Sequence, residues 1–286
     1  MILPHDFDFT QGKLQDYVDC RYRFYLRYIM RTKWPALVVD DALEFELRMQ
    51  AGARFHQLIQ QYLVGIPEAR ISEMVDADPN PDLRTWWEGF LTFVPPMLEG
   101  QPYVEMTLTT SLAGQRLVAK YDLILVAPSN TLHSEDSRLI IFDWKTSQKA
   151  PRVDWLLNRL QTQLYCLVLG DASPLFLGDQ TIEPGQIVMN YWFTSQPATP
   201  VTLPYSRTAY KRDQAHLGQL VDQICTSKPG SFHRTNDLKQ CRFCVYRSHC
   251  DRGVEAGHLA EFEDFDVVPS EVDIEIAFDD IPEIKF

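Results

Sequence analysis

Two charged residues end an apolar segment in the stretch RLIIFDWKTSQK, at positions 138–149. Asp143 and Lys145 are two residues apart, so on a β-strand their side chains lie on one face and that of Trp144 lies on the other. A buried charge without a partner is costly. The pattern therefore indicates either a salt bridge at the end of a strand or a site that does chemistry.

A second acidic residue, Asp122, interrupts the apolar stretch LVAKYDLILV. If neighbouring strands carry Asp122 and Asp143 to the same place, carboxylates about 4 Å apart repel by roughly 4 kcal/mol at an effective dielectric constant of about 20. A divalent cation commonly neutralises such a pair, and oxygen ligands suit Mg²⁺ or Mn²⁺. Lys145 would then face the metal and the anion that it binds.

Polar residues on predicted helices could complete this site. Gln161 and Tyr165 are four residues apart and share a helix face, on which Asn158 is also expected. His56 follows Gly52 by one helical turn in the stretch AGARFHQLIQQYL. Taken singly, a polar stripe is typical of a solvent-facing helix surface, and a lone helical histidine is more often structural.

Three cysteines within ten residues, in the stretch CRFCVYRSHC, indicate a metal or cluster site in a reducing compartment. They are Cys241, Cys244 and Cys250. A fourth ligand is required, and the candidates are Cys20, far upstream, and His249, next to Cys250. Four thiolates suit both Zn²⁺ and a 4Fe–4S cluster. We expect Cys166 and Cys225 to be ordinary buried thiols.

The elements that must position these residues form a mixed order of helices and strands. The predicted helices are Leu14–Met30, Asp41–Leu63, Leu83–Met97, Val153–Leu169 and Thr208–Cys225. The predicted strands are YVEMTLTTSL, QRLVAKYDLILV, RLIIFDWKT, QIVMNYWFTS and a short TLPYSR, with a turn near Gly114. This order predicts a mixed central sheet flanked by helices, an α/β (α+β) architecture.

The order and spacing of these motifs resemble the PD-(D/E)XK nuclease superfamily, in its RecB-like exonuclease branch. The shared pattern is a helical Gly-x-x-x-His, a strand Asp upstream of an Asp-x-Lys, and Gln-x-x-x-Tyr on the next helix, over residues 14–252. The stretch YVEMTL resembles the acid-bearing first core strand of that branch, with Glu105 at the matching place. The chain has Asp rather than Glu before x-Lys, which the family accepts.

The resemblance implies a restriction-endonuclease-like fold and a set of residue roles. His56, Asp122 and Asp143 would bind Mg²⁺ or Mn²⁺, together with the main-chain carbonyl of Trp144. Lys145 would position the attacking water and stabilise charge on the scissile phosphate. Asp122, Asp143 and Lys145 would thus be the catalytic residues.

The resemblance extends to nucleic-acid binding and to the cysteines. Gln161 and Tyr165 would hold the nucleic-acid strand near the site. One N-terminal cysteine followed by Cys-x2-Cys-x5-Cys is similar to the iron–sulfur exonucleases of this branch, which include the CRISPR adaptation exonucleases. The implied ligands of a 4Fe–4S cluster, with zinc as the alternative metal, are Cys20, Cys241, Cys244 and Cys250. The cluster would join the N- and C-terminal segments.

Basic and aromatic residues surround these cysteines in the sequence. A charged groove with aromatic side chains is how proteins hold single strands without sequence preference. The alternative is that the aromatic rings cover the cluster and the arginines are solvated. The basic residues are Arg21, Arg23, Arg27, Arg31, Lys239, Arg242, Arg247 and Arg252.

The net charge of −12 over 286 residues is unevenly distributed. Residues 255–286 hold eleven acidic residues and one lysine, so the other 254 residues carry a net charge of −2. The global charge therefore does not exclude a nucleic-acid partner, and the acidic tail is a candidate contact for a protein partner. With neither a long apolar run nor a secretory signal, we expect no membrane association and a cytoplasmic location.

We expect four segments: an N-terminal helical segment (1–40), a nuclease core (41–229), a cysteine-rich segment (230–254) and the acidic tail (255–286). The expected function is that of a metal-dependent DNA exonuclease that hydrolyses phosphodiester bonds at single-stranded ends, in DNA repair, recombination or CRISPR adaptation. The alternative is a non-catalytic nucleic-acid-binding or scaffold subunit that keeps the fold. The intact set of His56, Asp122, Asp143 and Lys145 argues against this alternative.

Overall fold

The computed structural model describes residues 3–4, 6–33, 42–128, 137–147, 149–178, 182–255 and 257. Five strands form a single mixed sheet in the order β1-β2-β3-β4-β5. Their bounds are β1 Gln101–Leu112, β2 Gln115–Ala127, β3 Arg138–Lys145, β4 Ile187–Phe193 and β5 Val201–Pro204. The pair β3–β4 is parallel and the other three pairs are antiparallel. The predicted mixed sheet with flanking helices is confirmed.

The first two strands form a hairpin whose turn is fixed by its two central residues. The ladder ends at the pair Leu112↔Gln115. Ala113 and Gly114 both have positive φ, 52° and 73°. Two such residues make a type I′ turn, whose twist matches that of the strands. The predicted turn near Gly114 is therefore confirmed.

Helices cover both faces of this sheet. Their bounds are α1 Gln11–Asp19, α2 Arg21–Phe24, α3 Ala42–Leu63, α4 Glu68–Asp76, α5 Pro81–Phe93, α6 Val153–Leu157, α7 Leu160–Ala172, α8 Pro174–Leu177 and α9 Arg207–Thr226. Short 3-10 turns occupy Pro95–Met97, Pro184–Gln186, Pro229–Ser231 and Leu238–Cys241. The prediction of one helix over Leu83–Met97 is wrong, because α5 ends at Phe93 and a 3-10 turn at two prolines follows.

The prediction of one continuous helix over Leu14–Met30 is also wrong. Cys20 has an extended backbone, with φ −158° and ψ 106°, and separates α1 from α2. Its Sγ accepts a hydrogen bond from the backbone N–H of Arg23 at 3.4 Å and so caps the second helix. A π-helical turn over Tyr25–Ile29 follows.

The predicted helix Val153–Leu169 is likewise two helices, α6 and α7. Asn158 ends α6 and Arg159, in an extended conformation, precedes α7. The exposed Asn158 side chain donates a hydrogen bond to the Asp154 carbonyl at 2.7 Å. The prediction of a single helix had placed Asn158 on one face with Gln161 and Tyr165. Because Asn158 ends α6 and the other two residues lie in α7, this part of the prediction is wrong.

Two apolar cores lie on opposite faces of the sheet. On one face, Leu139 and Ile141 of β3 pack in a core shared with α7. On the other face, Phe142 and Trp144 pack in a core shared with α3 and α5. This alternation puts Asp143 and Lys145 on the α7 face, as their spacing predicts.

Two sequence predictions fall wholly or partly outside the described residues. Of the acidic tail, only positions 255 and 257 are described, and positions 34–40 of the predicted N-terminal segment are not. The proposed segment boundaries stay predictions. Within the described ranges, no helix has the length and apolar character needed to cross a membrane.

Candidate active site

The candidate site lies where β2 and β3 separate. Their antiparallel ladder ends at the pair Leu123↔Phe142. Asp122 and Asp143 are the next residues on the two strands, directly beyond this last pair. The backbone N–H of Trp144 donates a hydrogen bond to Asp122 Oδ2 at 2.9 Å. The two acids therefore lie together at the end of the ladder, where the Asp122 carboxylate accepts a hydrogen bond from the backbone of the residue after Asp143.

Asp143 is held from two sides. Its Oδ2 lies 2.7 Å from Lys145 Nζ, and its Oδ1 accepts a hydrogen bond from Gln161 Nε2 at 2.7 Å. The residue is 4% exposed. Burial raises the pKa of Asp143; Lys145 opposes this shift, and the negative charge of Asp122 adds to it. Burial and a neighbouring carboxylate both disfavour the ionised form of Asp143, so a nearby positive charge stabilises the site.

Asp122 is paired with the histidine of α3. His56 Nδ1 lies 3.5 Å from Asp122 Oδ1. Burial alone would lower the pKa of His56, but the neighbouring Asp122 carboxylate outweighs it and the pKa is raised. Burial would raise the pKa of Asp122, but His56 and the Trp144 N–H outweigh it and the pKa is lowered. Each group of the pair thus favours the charged form of the other.

Gly52 explains how α3 comes close enough to supply His56. This glycine lies one turn before His56, and a Cβ placed on it would be 2.9 Å from Thr146 Oγ1. Thr146 directly follows Lys145 at the end of β3. The missing side chain at position 52 therefore allows the helix to lie against the end of the strand that carries Asp143.

A hydrogen-bonded pair next to the site was not found from the sequence. Tyr191 of β4 lies opposite Asp143 in the parallel β3–β4 ladder, and Lys145 Nζ is 5.9 Å from the centroid of its ring. Its hydroxyl is 2.8 Å from Thr162 Oγ1, and Thr162 Oγ1 donates to the Leu156 carbonyl at 2.6 Å. Burial and the charge of Asp143 raise the pKa of Tyr191. Only the pairing of β3 with β4 reveals this neighbour.

The residues predicted to hold nucleic acid are both buried. Gln161 is 1% exposed and contacts Asp143. The ring of Tyr165 packs 4.9 Å from that of Tyr121, whose hydroxyl donates to the Tyr165 carbonyl at 2.8 Å. The structure thus brings Gln161 into the site and Tyr165 into the adjacent core. Their role in binding nucleic acid stays a prediction.

Glu105 lies across the β1–β2 ladder from Asp122 but points to a lysine. The ladder pairs Val104↔Leu123 and Met106↔Tyr121 flank it, and Glu105 itself has φ 54°, in the left-handed region. Its Oε2 lies 2.8 Å from Lys120 Nζ. This local irregularity interrupts β1–β2 pairing directly beside Asp122, so the strand is distorted where the carboxylate enters the site.

The donor atoms of the site fit a hard divalent cation. In the described part of the chain, no group of three or more His, Cys, Asp or Glu side chains is already arranged as a metal site. Within the site, Asp143 Oδ2 and Gln161 Oε1 are buried without a hydrogen-bond partner among the residues described. Asp143 Oδ2 does form an ion pair with Lys145. Two carboxylates, an amide oxygen and an imidazole form a donor set that suits Mg²⁺ or Mn²⁺.

The cysteine-rich segment packs against the helical residues that follow Cys20. Cys244 and Cys250 share a small apolar cluster with Leu26. All six cysteines are free thiols. Burial raises the pKa of Cys250 to about 11, and the charges of Cys244, Cys20 and Cys241 add to the shift. Burial also raises the pKa values of Cys241 and Cys244, and a Cys20 thiolate would raise both further. Among the described residues these thiols are not already arranged as a metal site, so a shared metal or cluster stays a prediction.

The other cysteine predictions have separate outcomes. Cys166 is buried in the core on the α7 face, as expected of an ordinary thiol, and Cys225 is half-buried at its edge. The ring of His249, the alternative fourth ligand, stacks on Tyr22 at a centroid distance of 6.3 Å.

Several arginines near the cysteines have partners within the protein. Arg23 Nε lies 2.7 Å from Asp16 Oδ1, and its NH2 lies 2.6 Å from Asp19 Oδ2. Arg27 NH1 lies 2.8 Å from Asp16 Oδ2. Arg23 is therefore held by ion pairs within the first segment.

Arg247 is buried and donates hydrogen bonds to the Cys244 and Val254 carbonyls. The binding of phosphate by other basic residues of the set stays a prediction, as does the alternative that they are solvated.

The sequence matches a known family over most of its length. Residues 8–251 match the family model of the PD-(D/E)XK nuclease superfamily. This range includes every residue of the candidate site and all six cysteines. The chain therefore belongs to the PD-(D/E)XK nuclease superfamily. No curated protein is significantly similar to it.

Two solved structures are similar to this chain at low identity. One is that of SSO0001, at 11% identity and a TM-score of 0.39, covering 87% of this chain and 88% of the other. The second is that of a protein from Eubacterium rectale named "Putative exonuclease", at 9% identity and a TM-score of 0.45, covering 78% of this chain and 82% of the other.

Proposed function

We propose that this protein is a metal-dependent DNA exonuclease that hydrolyses phosphodiester bonds at single-stranded ends. The observation that carries the proposal is the meeting of Asp122, Asp143 and Lys145 where β2 and β3 separate. Membership of a nuclease superfamily supports a nucleic-acid substrate. The biological setting that we propose is the processing of DNA ends in repair, recombination or CRISPR adaptation.

The residues of the site have different roles in the proposed hydrolysis. Asp122, Asp143 and His56, with the carbonyl of Trp144, would hold Mg²⁺ or Mn²⁺. When bound, the cation supplies Lewis acidity and a source of hydroxide near neutral pH. Lys145 positions the attacking water and donates hydrogen bonds to the phosphate, whose negative charge grows in the transition state.

Gln161 has a positioning role in this proposal. Its hydrogen bond to Asp143 Oδ1 fixes the plane of the carboxylate, so that Oδ2 points toward Lys145. Hydrolysis adds water across the phosphodiester bond: the phosphorus–oxygen bond breaks and the leaving oxygen takes a proton. Correct orientation of the acceptor and donor groups lowers the barrier because they need not reorganise during the reaction.

We propose in addition that Cys20, Cys241, Cys244 and Cys250 hold a 4Fe–4S cluster, with zinc as the alternative. The position of Cys20 between two helices supports this proposal, since its backbone leaves the helical conformation there. The cluster would connect the start of the chain to the segment that follows α9. This role is structural and separate from the hydrolytic site.

The nuclease proposal is tested on protein purified without oxygen. End-labelled single-stranded DNA is incubated with Mn²⁺ or Mg²⁺, with and without EDTA. We expect shortening of the strand from its end, abolished by EDTA and by Lys145→Ala. The matched control is Lys149→Ala, at an exposed lysine four residues away. Wild-type rates for Lys145→Ala would show that the assignment is wrong.

A further inference from the structure

The short helix α6, which contacts α7 and β5, presents an aromatic side chain to solvent. Trp155 of α6 is 38% exposed. Isolated apolar residues are common on protein surfaces and carry no meaning by themselves. Trp155 differs from them in two ways: its helix is connected through hydrogen bonds of Thr162 to a strand neighbour of Asp143, and its ring contacts a cation.

The position of α6 relative to Asp143 is fixed by buried hydrogen bonds. Thr162 Oγ1 donates to the Leu156 carbonyl of α6 at 2.6 Å and lies 2.8 Å from the Tyr191 hydroxyl. Tyr191 is the ladder partner of Asp143. Leu156 itself is buried. The residue next to Trp155 is therefore connected to the strand neighbour of Asp143 through a single threonine.

The contact of Trp155 is with Arg159, the residue that precedes α7. The Arg159 Cζ atom lies 4.4 Å from the centroid of the indole ring, within the range of a cation–π interaction. Arg159 is 7% exposed, and its charge acts on Tyr191. The interaction holds ring and guanidinium together beside the site, and the planar guanidinium has the geometry to bind phosphate.

We propose that Trp155 and Arg159 form a nucleotide-holding site for single-stranded DNA. The base next to the scissile phosphate stacks on the Trp155 ring, and Arg159 binds the phosphate of that nucleotide. This inference rests on the proposed nuclease function and deepens it. Because a base must be unpaired to stack on a side chain, the site selects a single-stranded end over a duplex.

The test measures DNA binding without hydrolysis. Fluorescence anisotropy in EDTA compares a labelled single-stranded oligonucleotide with a blunt duplex of the same sequence. Stacking of one base on an aromatic ring corresponds to roughly 5- to 150-fold in affinity. We expect Trp155→Ala to lose affinity for the single strand within this range and to keep its affinity for the duplex. Trp155→Phe should retain most of the single-strand affinity.

The control and a second variant keep the test independent of folding. Phe93 on α5 is 37% exposed, and α5 packs in the core on the face of the sheet opposite to α7, so Phe93→Ala is the matched control. Arg159→Gln removes one phosphate contact, and the slope of log affinity against log salt should fall by about 0.7. Melting curves establish that each variant is folded.

Each outcome has a defined meaning. If Trp155→Ala binds the single strand as the wild type does, or loses duplex affinity equally, the inference is overturned. It is also overturned if the wild type binds no single strand in EDTA, or if Phe93→Ala has the same effect. Hydrolysis by the wild type in Mn²⁺ is read separately, so the nuclease proposal can stand when the nucleotide-holding site fails.

Discussion

Gln161 Nε2 donates a 2.7 Å hydrogen bond to Asp143 Oδ1 from a helix on one face of the sheet. Both side chains are buried. The amide therefore determines the orientation of a carboxylate that has little freedom to find another donor. This relationship makes Gln161 a positioning residue in the proposed mechanism, although the sequence motif suggested a contact with the nucleic acid.

Replacing Gln161 should impair turnover more than binding. In Gln161→Ala, Asp143 keeps Lys145 but loses its second hydrogen bond, and small misplacements of catalytic groups can cost on the order of 10²-fold in rate. We expect kcat to fall strongly while KM for single-stranded DNA changes little. The measurement is steady-state hydrolysis of an end-labelled strand.

The control for this prediction is Gln163→Ala. Gln163 is also buried in α7, but its Oε1 pairs with His216 Nδ1 at 2.7 Å, away from the acids. Equal losses of kcat in the two variants would indicate a general effect of damage to α7 and would contradict the positioning role.

The ion pair between Asp143 and Lys145 should stabilise the metal-free protein. Breaking a buried pair by removing one partner commonly costs roughly 3 kcal/mol, because the other charge stays buried. We expect Lys145→Met to lower the free energy of unfolding by about this amount in urea titrations with EDTA. Lys149→Met is the exposed control and should change it by less than about 0.5 kcal/mol.

A double variant distinguishes this pair from ordinary packing. In Asp143→Asn with Lys145→Met, neither charge remains buried, so the loss should be smaller than the sum of the two single losses. Strict additivity would mean that the two side chains do not interact energetically, despite their separation of 2.7 Å.

Gly52→Ala should reduce nuclease activity without unfolding the protein. The new Cβ would lie 2.9 Å from Thr146 Oγ1, so α3 or the end of β3 must shift and His56 moves relative to Asp122. Alanine in place of a helical glycine gains about 1 kcal/mol of helix propensity, which offsets part of the crowding. We expect a lower rate in the DNA shortening assay and a nearly unchanged melting temperature.

Removing the crowded atom should restore the rate. Thr146→Ala deletes Oγ1, and the other Thr146 side-chain atoms would lie 3.9 Å or more from the new Cβ. The double variant of Gly52→Ala and Thr146→Ala should therefore recover activity. Thr146→Val keeps two atoms at the γ position and should not rescue. Rescue by both variants, or by neither, would contradict the steric explanation.

The sequence predicted the elements that carry the acids better than it predicted the helices around them. The two faces of β1–β3 pack against two different cores, so most residues of these strands are apolar. Asp122 and Asp143 are recognisable in the sequence as exceptions to this pattern. The breaks at Cys20 and Arg159 are invisible to periodicity, because the apolar pattern continues on both sides of one or two extended residues.

The missed neighbours of the site have a different cause. Tyr191 and Thr162 lie on different elements, and their contact with the site depends on which strands pair. Helix spacing predicts that Gln161 and Tyr165 share a face, but it cannot tell which of them reaches Asp143. The sequence alone could not assign Trp155 to the neighbourhood of the site, because the predicted continuous helix misplaced it.

Substitution of each of four cysteines should remove the proposed cluster. The anaerobically purified wild type should contain iron and acid-labile sulfide, with visible absorption from thiolate–iron bonds. Serine at position 20, 241, 244 or 250 should abolish both. Cys166→Ser and Cys225→Ser are the controls and should leave the iron content unchanged. Stoichiometric zinc without sulfide would favour the alternative metal. If the protein contained neither iron nor zinc, the proposal of a metal site at these cysteines would be wrong.

Deleting residues 258–286 should strengthen the binding of single-stranded DNA at low salt. This segment contains ten acidic residues and one lysine and is outside the described part of the chain. It follows Gly257, whose backbone N–H donates to the Arg242 carbonyl of the cysteine-rich segment at 3.1 Å. The negative charge therefore starts close to a basic part of the chain and either repels DNA or competes with it.

Salt and a charge-neutral tail separate these electrostatic effects from structural ones. The Debye length falls from roughly 30 Å at 0.01 M salt to about 8 Å at 0.15 M, so the gain in affinity should shrink as salt rises. A full-length variant with Asn and Gln in place of the tail acids should behave like the deletion, because both remove the charge. A large drop in melting temperature on deletion alone would show that the segment belongs to the folded structure, and the electrostatic interpretation would then be wrong.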